Sequence, residues 1–211
     1  MPVIIESNIH KAWVSILKKI QEEGRTVVDE NKNKTREILN LFAAIENPLD
    51  EENLDKFFLT MNQINVFTKL LLDEKEADEA GFIPGKRLYD FFGYKQWEKV
   101  CDRLIDRPMT RRASIILCEP SRDFEGKRPP SLLLIDFKIR DNKLNLTAVI
   151  RSNDMFRVWP ANAYSLAKLL EKTVGRLRDK IQVEPGILNI LSMSAHIYED
   201  DYGKINRIIS T

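Results

Sequence analysis

Cysteine is scarce in this sequence: Cys101 and Cys118 are the only two among 211 residues, and they form no Cys-x-x-Cys pair. That excludes a disulfide framework and leaves a structural zinc site unsupported. Net charge is nearly missing too, with 33 Lys and Arg against 32 Asp and Glu. With no global field to attract nucleic acid or an anionic membrane, any anion site must be local. No apolar run approaches the length of a spanning helix, and the opening MPVIIESNIHKAW lacks a basic segment followed by an apolar one. A cytoplasmic location is therefore expected. Internal repeats and low-complexity linkers are absent as well. What is present is 43% hydrophobic and 31% charged residues, enough for a sizeable core in one domain over residues 1–211.

The apolar spacing gives the elements. SNIHKAWVSILKKIQEEG places Ile9, Trp13, Ile16, Leu17 and Ile20 on one helical stripe, with Ser7 or Asn8 as cap and Gly24 as stop. A buried strand is predicted from Ile38 to Ile45. One long helix is predicted through NLDKFFLTMNQINVFTKLLLDE, with Leu54, Phe57, Phe58, Met61, Ile64, Phe67 and Leu71 inward. QWEKVCDRLID reads as a third helix whose inner face includes Cys101, so that thiol is assigned to the core. From Arg111 the pattern changes to strands: RRASIILCEP, then LLLIDFKI and LNLTAVIR joined by a DNK turn as an antiparallel hairpin. A helix over Ala161–Leu177 and a late strand, ILNILSMSAHIY, complete the chain. Early helices with adjacent antiparallel strands later argue for an α+β layer arrangement rather than a doubly wound one.

Three polar clusters stand at strand ends, where loops carry function. Arg111 and Arg112 are neighbours on a predicted strand and would serve opposite faces. Arg151, Ser152, Asn153 and Asp154 close the apolar strand LNLTAVI, where a guanidinium beside a hydroxyl suits a phosphate or carboxylate. His196 and Tyr198, two apart, share a strand face and could converge on one ligand edge. The alternatives are, in turn, a solvated pair, a capped turn with a surface ion pair, and a His and Tyr that satisfy each other. A further puzzle is RPPSLLLIDF, in which two prolines fix the backbone ahead of one hydroxyl, Ser131, at the mouth of an apolar strand. Ser131 is either a polar strand cap or a residue aimed into a pocket.

In this order, the Arg pair, RPPS before a hairpin, RSND closing it, PAN opening the next helix, and AHIY resemble the corresponding series of the thymidylate synthase family, most nearly its short archaeal form. The likeness covers most of the chain and is strongest from Met109 to Tyr198. It implies a thymidylate-synthase-like mixed sheet with flanking helices, a homodimer formed through the sheet, and one pyrimidine nucleotide such as dUMP per subunit. By the resemblance, Arg151 and Ser152 hold the phosphate, joined by Arg111 and Arg112 from the partner subunit. His196 and Tyr198 bind the sugar 3′ hydroxyl, Asn162 reads the pyrimidine edge, and Asp154 lies near the base.

The resemblance also answers the puzzle of Ser131, which occupies the place of the family's nucleophilic cysteine. Arginines can bring a thiol with a pKa of about 8.5 to thiolate at neutral pH, whereas an alcohol needs a positioned general base. Leu132, Leu133 and Leu134 offer none, and the resemblance assigns His196 to the sugar. Further departures are Asp136 in place of a glutamine, Cys118 in place of a tryptophan, Pro84 in place of a tyrosine and Ser194 in place of an acid. Cys118 is read as filler rather than as a replacement thiol. Arg25, Lys32 and Lys34 belong to a charged loop that could add a phosphate contact.

Two functions follow. One is a nucleotide binder without Cys-dependent methyl transfer. The other is a divergent folate-dependent C5 methyl- or hydroxymethyltransferase that uses Ser131 or another group, with methylenetetrahydrofolate as donor. Neither calls for a metal, a membrane or nucleic acid.

Overall fold

The computed structural model describes residues 1–73, 84–91, 93–125 and 129–210; Arg128 and the Glu74 end of the second predicted helix lie outside them. The strands are β1 (Val3–Glu6), β2 (Arg25–Val28), β3 (Lys34–Ile45), β4 (Ser114–Ile116), β5 (Leu132–Arg140), β6 (Lys143–Asp154) and β7 (Glu184–Tyr198). The helices are α1 (Ile9–Glu23), α2 (Met61–Leu72), α3 (Pro84–Tyr89), α4 (Gln96–Asp106), α5 (Pro120–Asp123), α6 (Trp159–Arg178) and α7 (Tyr202–Ile209). Among the described residues all seven strands form one mixed sheet, in the order β1-β3-β7-β6-β5-β4 with β2 on the flank of β3. The α+β expectation holds.

Asn8 starts α1 by accepting the Lys11 N–H on its side chain at 2.9 Å. The helix then buries Ile9, Trp13, Ile16, Leu17 and Ile20 as the spacing predicts. Gly24 stops it by close approach, because a Cβ there would stand 2.4 Å from the Ile20 carbonyl oxygen. Together α1 and α6 bury one face of the sheet, and α2 packs on α6. The β5–β6 hairpin forms as expected, with Asp141 and Asn142 both at positive φ, 50° and 58°.

Three expectations are corrected. The long helix through Leu54 is broken: a 3-10 turn, Leu54–Lys56, ends at Phe57, and α2 starts afresh behind Thr60. The cause is a capping box in which Thr60 and Gln63 bond each other's backbone, so local donors win over apolar periodicity. Phe58 and Phe67 consequently leave the core. The strand predicted from Ile38 starts at Lys34, because the charged loop folds back as the β2–β3 hairpin around Asp29, whose carboxylate takes the Asn31 and Asn33 N–H groups. Finally, Arg111 and Arg112 precede the three-residue β4 rather than lying on a strand.

One irregularity positions everything that follows. Along β7 the buried positions run Leu188, Ile190, Ser192, then Ala195 and Ile197; along β6 they run Ala148, Ile150, then Asn153; along β3 they run Ile38, then Leu41. Each strand skips one place, and the residues skipped, Met193, Arg151 and Asn40, lie side by side across the sheet. Asn40 has φ 55°, a left-handed value that asparagine tolerates better than most residues. Such a bulge reverses the face that later side chains take. Without it, His196 and Tyr198 would point where Ile190 and Ser192 do, into the core.

Beyond the site, Arg87 of α3 binds Asp123 bidentately, 2.6 Å for each pair, and donates to the Leu117 carbonyl at 2.7 Å. The guanidinium hydrogen bonds hold the Asp123 carboxyl down to about 2. A depressed folded-state pKa stabilises the protein above the ordinary value of 3.8 and is lost as pH falls through about 2. The fall in thermal midpoint between pH 4 and pH 2 is therefore expected to be shallower in Asp123→Asn than in the parent protein, as calorimetry over that range would record.

Candidate functional site

A cleft of about 910 Å³ opens where the sheet kinks, bounded by α2, α6 and the ends of β5, β6 and β7. That volume suits a single small ligand of nucleotide size. Phe67, Leu70, Leu71 and Pro84 form an apolar wall, while Ser131, Ser152, Asp154, Asn162, His196 and Tyr198 supply polar groups. These six come from three elements, β6, α6 and β7, and one loop, and all were singled out in the sequence.

Each polar group has its own support. The Asp154 carboxylate accepts the Phe156 and Arg157 N–H groups at 3.0 and 2.9 Å, which caps the turn into α6. Burial pushes its pKa up, against those two donors and the nearby His196. Asn162 donates at 3.1 Å to Asn153, which is buried and donates in turn to Ser192 Oγ at 3.1 Å. This chain fixes the Asn162 amide in the cleft wall. The rings of His196 and Tyr198 meet edge to face with centroids 5.5 Å apart. Burial, followed by the Asp154 charge, raises the Tyr198 phenol. Behind it, Arg157 lies 5.2 Å from the ring centroid and is anchored by an ion pair at 2.6 Å to the buried Asp201.

Ser131 is exposed at the mouth of the cleft, its carbonyl bound by the Arg151 N–H at 2.8 Å. The Arg151 guanidinium donates to the Pro129 carbonyl at 3.3 Å and lies at the rim rather than in the lining. No described side chain hydrogen-bonds the Ser131 hydroxyl. Arg111 and Arg112 are exposed and line no part of this cleft; the Arg112 carbonyl accepts from Arg103. Within one chain the arginine pair and Arg151 are not brought together.

Other positions behave as their chemistry dictates. Cys101 is fully buried and its thiol is pushed up to about 12 by desolvation. Cys118 lies outside the cleft lining, and burial together with the Asp123 carboxylate raises its thiol too, so it offers no thiolate. Asp136 is paired with Lys138 and accepts from Ser114 at 2.6 Å, which removes the repulsion that a bare acid would exert on an anionic ligand. Lys34 is held by Glu199 at 2.6 Å. Sequence reasoning missed the supporting roles of Asn153, Ser192 and Arg157. Only Asn153 lay in a cluster that the motifs marked.

In a comparison with known families, residues 59–211 match the model described as thymidylate synthase. The chain belongs to the thymidylate synthase family. Relatives named "Putative thymidylate synthase" are similar over nearly the full length. The protein of Methanosarcina acetivorans is 33% identical over 208 residues, 98% of this chain and 94% of its own. That of Methanococcoides burtonii is 34% identical over 202 residues, 95% and 91%, and that of Methanothermobacter marburgensis 30% over 218 residues, 95% of each. Thymidylate synthases bind a pyrimidine nucleotide, use methylenetetrahydrofolate and are usually dimers. Among the described residues no group of three or more His, Cys, Asp or Glu side chains could hold a metal ion, and no helix is long and apolar enough to cross a membrane.

Proposed function

We propose that the cleft binds a pyrimidine mononucleotide such as dUMP, without the Cys-dependent methyl transfer of the family. What carries this reading is the convergence of Ser152, Asn162, His196 and Tyr198 on one cleft beside Ser131, whose hydroxyl no described side chain hydrogen-bonds. Arg151 at the rim and Ser152 inside supply a guanidinium fork and a hydroxyl for the phosphate. His196 and Tyr198 take the sugar hydroxyl. Asn162 offers both a donor and an acceptor to the base edge, which suits uracil, and Asp154 stands close by. The wall of Leu70, Leu71 and Pro84 has the flat apolar character that would hold the ring system of a folate, whose contribution when bound is a one-carbon unit.

The partner in this reading is a second copy of the chain. Val3, Ile5, Leu39, Ile116 and Met193 leave the sheet face opposite the helices apolar and open. Burying that face against its equal would form a dimer through the sheet, and Arg111 and Arg112 would then reach the partner's phosphate site. The alternative, C5 transfer with Ser131 as nucleophile, draws on the exposure of Ser131 at the cleft mouth.

Proton NMR of dUMP, with UMP and dCMP alongside, in heavy water with and without methylenetetrahydrofolate separates the two. The binder reading expects dUMP lines to broaden while H5 persists, and Arg151→Ala to weaken binding about 10- to 100-fold, the worth of a charge-assisted phosphate contact. Loss of H5 that slows in Ser131→Ala would establish the enzyme instead.

A further inference from the structure

His196 does not stand alone on its strand face. Two residues earlier on β7, Ser194 places its Oγ 3.3 Å from His196 Nδ1 and 2.5 Å from Glu37 Oε1. Glu37 is the β3 residue directly opposite His196 in the antiparallel register. These contacts impose a direction. A carboxylate has only lone pairs, and a serine hydroxyl has one proton. The short contact between Ser194 and Glu37 therefore spends that proton on the carboxylate, leaving Ser194 only lone pairs to offer His196. Nδ1 must be the donor, and a neutral imidazole that carries its proton on Nδ1 has a bare Nε2.

We infer that Glu37, acting through Ser194, is a positioning pair that holds neutral His196 as its Nδ1–H tautomer, so that Nε2 faces the cleft as an acceptor and selects ligands presenting a free hydroxyl. The ligand consequence rests on the nucleotide reading above; the tautomer itself does not. An acceptor at Nε2 takes a hydrogen bond from the 3′ hydroxyl of a mononucleotide. It cannot take one from a 3′ oxygen already esterified within a polynucleotide chain, so the pair excludes internal nucleotides by chemistry rather than by size. The other charged groups facing His196 are Asp154, opposite it on β6, and Asp29, from the β2–β3 turn; neither hydrogen-bonds its ring.

With two histidines in the sequence, His10 and His196, the nitrogen-15 spectrum of the imidazoles is readily assigned. Long-range proton–nitrogen correlation on the ligand-free protein, above the histidine titration range, should show His196 with a protonated Nδ1 and a pyridine-like Nε2. Ser194→Ala and Glu37→Gln should both shift the population toward Nε2–H, which a free neutral imidazole prefers, and Ser194→Thr should restore the parent pattern. Unchanged His10 signals show that each variant is folded. Ser194→Ala should also weaken dUMP binding about fivefold, the worth of one oriented hydrogen bond, while leaving the weaker binding of the 3′-deoxy nucleotide unchanged. A parent protein in the Nε2–H form, or a tautomer indifferent to both variants, overturns the inference. If the tautomer is as stated but no pyrimidine nucleotide binds, the nucleotide reading falls and the positioning pair stands.

Discussion

Ser131→Cys is expected to turn a protein that leaves dUMP H5 intact into one that exchanges it with solvent, a gain on the order of 10³-fold or more. The reaction needs a nucleophile that adds to C6 and so makes C5 basic. The Ser131 hydroxyl lies exposed at the cleft mouth and no described side chain hydrogen-bonds it, whereas a thiol there would sit next to Arg151. The Arg151 backbone binds the Ser131 carbonyl, and its guanidinium reaches the Pro129 carbonyl. A neighbouring guanidinium favours the thiolate over the thiol.

The measurement is the decay of the dUMP H5 signal in heavy water, with Ser131→Ala as control. Parent and Ala variant should both show no decay. A parent protein that exchanges H5, with the Ala variant slower, would mean that the serine is itself activated. Binding by the Cys variant without exchange would mean that the pocket holds the base away from this position. The introduced thiol can also be titrated directly. An apparent pKa below the ordinary value of about 8.5 is required for the argument from Arg151 to hold.

The site residues were legible because they lie in short motifs at strand ends, and strand-end side chains keep their spacing whatever the rest of the chain does. Ser152, Asp154, His196 and Tyr198 stood out in this way, whereas Asn162, on α6, was marked by the family resemblance alone. Their common orientation was not legible. Period-two spacing puts Ile190, Ser192, His196 and Tyr198 on one face, yet the aligned bulges at Asn40, Arg151 and Met193 divide them. A bulge depends on three strands agreeing, and only Asn40 carries a local sign of it. Glu37 was invisible for a similar reason: 157 positions separate it from Ser194, and only the β3–β7 register joins them. The break before α2 was different. Thr60 and Gln63 spell a capping box in plain sequence, but the continuous apolar stripe on either side outweighed it.

Trp13→Ala should cost about 3 to 5 kcal/mol, the range for removing a large aromatic from a packed core, and lower the thermal midpoint by about 10 °C or more. Trp13 is fully buried on α1, edge to face with Phe57 at 5.2 Å and stacked on Phe156 at 6.1 Å, so its loss opens a cavity shared by three segments. Trp13→Phe separates packing from polarity. It keeps most of the ring volume but removes the indole N–H that donates to the Met155 carbonyl at 2.8 Å, leaving a buried acceptor unpaired at a cost of about 1 to 3 kcal/mol. That bond ties the fold to the cleft: Met155 follows Asp154, its own N–H binds the His196 carbonyl at 2.9 Å, and Asp154 caps the next two amides. Slack at Met155 would reach both Asp154 and His196. At temperatures where Trp13→Phe remains folded, its affinity for dUMP should therefore fall severalfold with no contact to ligand changed. Urea unfolding and an NMR titration on the same sample would measure both effects. A variant that loses stability while binding at full strength would show that the Met155 segment is held by the strand pairing of β6 with β7 and not by the helix behind it.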